Sequence, residues 1–232
     1  MKILIKSMIS AGLILSGPVA HAATATAPGT TIATSSEEAV FVQSKARVAA
    51  YEQINQTYAA QITQVSTLRR EASTMTESLD TNKDGDVSQA EVDANPALVK
   101  QIGDKQDQAD LVSRPIALAQ YYVIEQLLND YGNARKQVID AKKIQIMLTP
   151  DAFLYMADGV DVTNDILAVV DQRLPTVSAF PPENYRPRQD TAQMHQAVQQ
   201  IIIGLVQREA AKRAAEAPAA PAGETPAAPS GR

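Results

Sequence analysis

Twelve consecutive residues carry oxygen donors at the spacing a calcium-binding loop requires: Asp80-Thr81-Asn82-Lys83-Asp84-Gly85-Asp86-Val87-Ser88-Gln89-Ala90-Glu91. Asp80, Asn82 and Asp84 put side-chain oxygens at loop positions 1, 3 and 5, and Gly85 at position 6 permits the sharp turn. Asp86 at position 7 offers its backbone carbonyl, Ser88 at position 9 can hold a water, and Glu91 at position 12 can close the site with both carboxylate oxygens. This donor set suits a hard, oxygen-seeking cation. Without an ion the carboxylates of Asp80, Asp84, Asp86 and Glu91 repel one another. The plainer alternative is an Asp/Asn/Gly-rich turn that holds no metal. The loop occurs once, whereas such loops usually work in pairs, so a single weak Ca2+ site is expected, with a Kd of ~10⁻⁴ to 10⁻³ M. At calcium ten times the Kd, binding stabilises the bound form by about 1.4 kcal/mol, enough to order a turn and too little to fold a domain.

No other constellation points to chemistry. The chain has no cysteine, so disulfides and thiolate-metal sites are excluded. His195 stands alone beyond the leader, with no partner nearby in sequence, and reads as a solvated helix residue. Serines and aspartates are plentiful, but no nucleophile motif surrounds any of them, and enzyme activity has no sequence support. The net charge is −5, and loss of Lys2 and Lys6 with the leader takes it to −7, which argues against nucleic-acid binding. Aromatic residues make up 4% and Trp is absent, a composition of long helices rather than of one large core.

The elements that must position the loop follow from periodicity. Lys2 and Lys6, the apolar run over 8–15, the Gly17-Pro18 break and the small residues of Ala20-His21-Ala22 predict a signal peptide over 1–22 and export to the periplasm. No later run is long enough to span a bilayer. Residues 23–44 read as a linker and a first core strand over 30–34, after which Ser36 with Glu37 and Glu38 starts a helix. Residues 45–143 read as a coiled-coil hairpin interrupted by the loop at 80–91. On the outgoing arm Tyr51, Tyr58, Val65, Ala72 and Leu79 recur every seven residues, with Ile54, Leu68 and Met75 beside them; Gln61 breaks the second row, and Ile62 is expected to take the buried place. On the returning arm Asn95-Pro96 interrupts the helix, Ile102, Ala109, Ile116 and Val123 step by seven, and Pro115 predicts a kink. Residues 144–177 read as strands over 144–148 and 153–156 and a helix over 161–174 with Thr163 as a cap. Then come a Pro-rich linker over 178–190, an amphipathic helix over 191–216 and a disordered Ala/Pro tail over 217–232.

Strand, long hairpin, two strands, short helix: this order resembles the Skp/OmpH family of periplasmic chaperones. The likeness rests on Thr31-Ile32-Ala33 with Ala39-Val40-Phe41-Val42-Gln43-Ser44, and on Ser113-Arg114-Pro115-Ile116-Ala117-Leu118-Ala119-Gln120 with Val123-Ile124-Glu125-Gln126. It is clearest in Phe153-Leu154-Tyr155 with Val160-Asp161-Val162-Thr163-Asn164-Asp165-Ile166-Leu167, and it covers residues 30–177. The resemblance implies a mostly helical α+β fold with a small β core that forms a barrel in a homotrimer. From that barrel the helical hairpins project as tentacles around a cavity. It further implies ATP-independent holding of unfolded outer-membrane proteins.

Three features depart from the family's pattern. The chain is acidic where well-known members are basic, which argues against lipopolysaccharide contact and favours apolar client contacts. The loop at 80–91 and the segment after Ser178 are both additions. Two other readings stay open: a secreted calcium-responsive binding or scaffold protein of the cell envelope, and an envelope spacer built on the Pro/Ala-rich tail.

Overall fold

Two narrow apolar stripes face each other along most of the length of this molecule. The computed structural model describes residues 30–216; the expected signal peptide over 1–22 and tail over 217–232 lie outside the described residues. The chain opens with β1 (Ile32–Thr34) and α1 (Glu37–Gln43). The outgoing arm is α2 (Lys45–Thr57) and α3 (Ala59–Glu77); the returning arm is α4 (Gln89–Ala94) and α5 (Pro96–Lys142). Then follow β2 (Ile146–Leu148), α6 (Thr163–Arg173) and α7 (Gln189–Glu216).

The heptad residues set the register of the hairpin. Ala50 and Ile54 pack with Ala119 and Val123 at its base. Val65 and Leu68 meet Ala109 and Val112 farther out, and Ala72 and Leu79 meet Ile102, Leu98 and Val99 near the loop. This descending and ascending order is an antiparallel coiled coil. Lys105 and Glu71 pair across it at 2.6 Å. One expectation fails in detail. Gln61 keeps its half-buried place on the stripe and Ile62 stays 37% exposed, because the helical phase, not hydrophobicity, decides which residue faces the partner. Pro115 lies inside α5 on a solvent-facing turn, where Leu111, whose carbonyl Pro115 cannot bond, is 67% exposed and open to water.

The start of the hairpin is sharply punctuated. The Ser36 hydroxyl accepts from the Ala39 N–H and caps α1. Ser44 leaves the helical region at φ −53°, ψ 127° and caps α2 through the Arg47 N–H. The buried Arg47 guanidinium then donates to the carbonyls of Phe41 (2.9 Å) and Val42 (2.6 Å), so the negative end of α1 meets a cation. The bend lets α1 lie across the base while α2 runs out along the hairpin.

The base holds the main core: Val40, Phe41, Ile124, Leu127, Tyr131, Val138, Val162, Ile166 and Val170, with Phe41 edge-on to Tyr131 at 5.5 Å. Beside it β1 and β2 pair in parallel, Ile32 with Ile146 and Thr34 with Leu148. The third strand expected over 153–156 does not form. Pro150 opens a 3₁₀ turn, Pro150–Ala152, that leads the chain away, and the free side of β1 is taken instead by a bridge from Thr34 to Asp161. Leu154 and Tyr155 are left 108% and 83% exposed. Thr163 is not the cap of α6. Its hydroxyl accepts from the Ser36 N–H at 3.0 Å and donates to Asp161 at 2.6 Å, tying the two helix starts together.

Burial assigns the cost of damage. Phe41→Ala is expected to destabilise by about 3–5 kcal/mol, and Leu111→Ala to stay within about 0.5 kcal/mol. Denaturant unfolding of both at one protein concentration checks this; equal losses would show that the core is not where Phe41 lies.

Candidate functional site

The loop between the two arms is built from carboxylates that cap backbone. Lys83 and Gly85 take positive φ, 59° and 93°, and the glycine reaches its value without strain. The chain then turns tightly enough for Asp80 to accept the N–H groups of Asp84 (3.2 Å) and Gly85 (2.9 Å). Asn82 accepts from the Asp84 N–H, and Asp84 from the Asp86 N–H, both at 2.9 Å. At the far end Ser88 and Glu91 form a reciprocal capping box on α4. Glu91 also reaches back across the loop, where Oε1 accepts the N–H (2.8 Å) and hydroxyl (2.9 Å) of Thr81. Asp80 and Glu91 therefore tie the two ends of the loop to its own backbone.

Glu91 is the electrostatic centre of this arrangement. It is 9% exposed, and the Ser88 N–H and hydroxyl, followed by those of Thr81, pull its carboxyl down to about 2. The residues expected as ligands—Asp80, Asn82, Asp84, Asp86, Ser88 and Glu91—are all in one loop, and their oxygens fit a hard cation. Among the described residues, no three His, Cys, Asp or Glu side chains stand close enough together to hold a metal ion as they are. Glu91 and Asp80 are committed to N–H groups, and these contacts would rearrange for an ion to be held. Thr81, which the ligand pattern passes over, proves to be a main partner of Glu91.

A second surface lies at the opposite end, around the small sheet. Ile32, Ile146 and Leu148 are each at least 40% exposed, and 153–156 adds Leu154, Tyr155 and Met156. The outer edge of β2 has no strand beside it among the described residues.

A third feature was not foreseen. Residues 174–188 have no regular structure, yet they hold to one side of α5. Gln126 pairs with Ser178, the Tyr185 hydroxyl donates to Glu125 at 2.6 Å, and Arg188 donates to Asn129 at 3.1 Å. His195 closes the series. It is not a solvated residue: its Nε2 lies 3.2 Å from Gln120 Oε1, its ring meets Tyr121 edge-on at 4.6 Å, and burial pushes its pKa down to about 4. Only the first half of α7 docks, through Thr191, Met194, Val198 and Ile202. Ile201, Ile203, Leu205 and Val206 remain exposed, so the helix is less amphipathic than its isoleucine run implied.

Comparison with known proteins bears on residues 31–170, which match the family described as outer membrane protein (OmpH-like). No curated protein matches the sequence. Among solved structures, that of an OmpH-like outer membrane chaperone from Caulobacter crescentus is similar at 17% identity and a TM-score of 0.42, over 67% of this chain and 94% of that one. That likeness is too slight to bear on function. All of α7 and the strap before it lie beyond the matched residues.

The depressed Glu91 carboxyl carries a sign. A carboxylate held below its ordinary 4.5 stabilises the loop above that pH and loses its contribution as pH falls from 4.5 toward 2. Amide hydrogen exchange at Thr81 and Ser88, corrected for intrinsic rate, is expected to lose protection over that window. Glu91→Gln should abolish the pH dependence, and a drop that persists in that variant would assign it to another group.

Proposed function

This chain belongs to the family of OmpH-like outer membrane proteins, and from that premise we propose that it is a periplasmic, ATP-independent holdase that keeps unfolded outer-membrane proteins from aggregating. The observation that carries the reading is the pairing of a projecting hairpin with an unfinished apolar base. A two-stranded sheet with a free edge is an association surface unless something covers it. Ile32, Ile146, Leu148, Leu154 and Tyr155 line that surface, and three copies joined there would complete a small barrel. The hairpins would then stand side by side around a cavity. The acidic charge of −5 favours clients held by apolar contact over anionic lipid surfaces such as lipopolysaccharide.

The loop at 80–91 supports a second, subordinate reading: a weak single Ca2+ site that stiffens the outer turn of the hairpin. The donor chemistry supports it, and the Glu91 contacts set its cost, because an ion must displace N–H groups that already satisfy the carboxylate. In this reading calcium modulates cavity shape and the hairpin does the holding.

Light scattering is expected to give a trimer, and dilution of a urea-unfolded outer-membrane barrel into the protein is expected to give less aggregation than buffer. Leu154→Asp with Tyr155→Asp should shift the trimer toward monomer. A native monomer that offers no protection would overturn the holdase reading. For the loop, millimolar calcium should slow amide exchange over 80–91 in the native protein but not in Asp80→Ala/Glu91→Gln. A double variant that retains full client protection makes the loop accessory, and one that loses all protection favours a calcium-responsive binding protein.

A further inference from the structure

The segment lying on α5 is held there largely through its backbone. The Gln126 carboxamide donates from Nε2 to the Ser178 carbonyl and accepts at Oε1 from the Ser178 N–H, both at 2.9 Å. A neighbouring strand would offer the same pair of contacts, and neither involves the side chain at 178. Gln126 is held in place by a further bond to the Tyr122 carbonyl at 3.0 Å. One residue on, Ala179 is 1% exposed and sits among Ala50, Ile54, Ala119 and Val123. Ala50 and Ala119 leave space for a methyl group between the two arms, and a larger side chain would meet the hairpin's own packing. The flanking Thr176, Ser178 and Phe180 are exposed, and only Val177 adds apolar contact. The chain bends at Ala179 and Phe180, where the Ser178 hydroxyl donates to the Phe180 carbonyl at 3.1 Å and accepts the Phe180 N–H at 3.2 Å. The seat therefore selects for a free backbone N–H and carbonyl followed by a small apolar side chain on a bend.

We propose that the groove on α5 between Gln126 and the Ala50–Ala119 floor is a polypeptide-binding site, filled here by the chain's own residues 177–180, which a segment of unfolded client carrying a small apolar residue displaces. The proposal rests on the holdase reading for the identity of the competitor, and it gives that reading a contact surface. The occupant is tethered on both sides, by α6 ending at Arg173 and α7 starting at Gln189, so it competes at an effective concentration of order millimolar. A single weak segment cannot displace it. A long unfolded chain that presents many such segments can, which would limit occupancy to unfolded clients.

The test uses the full-length protein and a fluorescein-labelled synthetic peptide of residues 174–186. Ser178→Pro with Ala179→Glu removes the N–H that Gln126 receives and puts a charge where the methyl group sits, so it frees the groove without altering it. This variant is expected to bind the peptide at least tenfold more tightly than the native protein, and Ala119→Leu added to it should remove the gain. Equal affinity for native and released proteins, or a gain that survives Ala119→Leu, overturns the proposal. A second measurement needs no variant: with excess unfolded outer-membrane barrel, the Ser178 amide of the native protein should lose exchange protection while amides of α1 keep theirs, and unchanged protection at Ser178 counts against the site. Peptide binding decides the groove whatever the aggregation assay shows, so failure of the holdase reading and failure of this one are read separately.

Discussion

A helix with one narrow apolar stripe is not stable alone in water, because most of its surface is polar and the stripe buries only when a second stripe is laid against it. The rest of this fold follows from that requirement. The arms must run antiparallel, so the chain must turn between them, and the turn is where the carboxylate-rich loop sits. The arms must also return to the start, which brings β2 beside β1 and gives α6 a surface to cover. Small residues at the contacts—Ala50, Ala72, Ala109 and Ala119—bring the helices close. That closeness also creates the shallow seat occupied by Ala179.

Ends of helices are satisfied by neighbours rather than by local sequence alone. The α1 carbonyls go to Arg47, the Ser36 N–H goes to Thr163, and the first N–H of α2 goes to the Asp171 carboxylate at 2.9 Å. Each bond joins two elements, so the base of the hairpin is locked at several helix ends at once. The Asp130–Arg173 pair adds a fork of two contacts, 2.6 and 2.7 Å, which holds the Asp130 carboxyl below its ordinary range. Being surface-exposed, it orients α6 more than it stabilises the fold.

Much of this was legible in the sequence. The seven-residue steps gave the hairpin and its register, Ser36 marked the start of α1, and Asn95-Pro96 marked the break before α5. Local pattern was weaker where the answer depends on a distant partner. Phe153-Leu154-Tyr155-Met156 has the composition of a strand, but a strand exists only if an edge receives it, and within this chain Asp161 reaches the free edge of β1 first. The strap was hidden for the same reason: its contacts join residues 52 to 60 positions apart, and a Pro-rich stretch looks like a linker whether or not it docks. Within the loop the spacing of oxygens was plain, whereas the role of Thr81 was not, since ligand patterns leave that position free.

The two strands that define the base are separated by the whole hairpin: Thr34 reaches Leu148 across 114 positions, while Lys105 reaches Glu71 across 34. Closing the larger loop in a free chain costs more entropy and rewards it with only three residue pairs of sheet. The coiled coil can zip from the turn inward, each heptad shortening the gap that remains, until the strands are delivered to each other at almost no further loss of freedom. The strap can dock only after α5 has a partner, since its seat is made from both arms. Topology thus favours an order of tip, arms, sheet, strap, in which the free edge of β2 is presented only once the hairpin is complete.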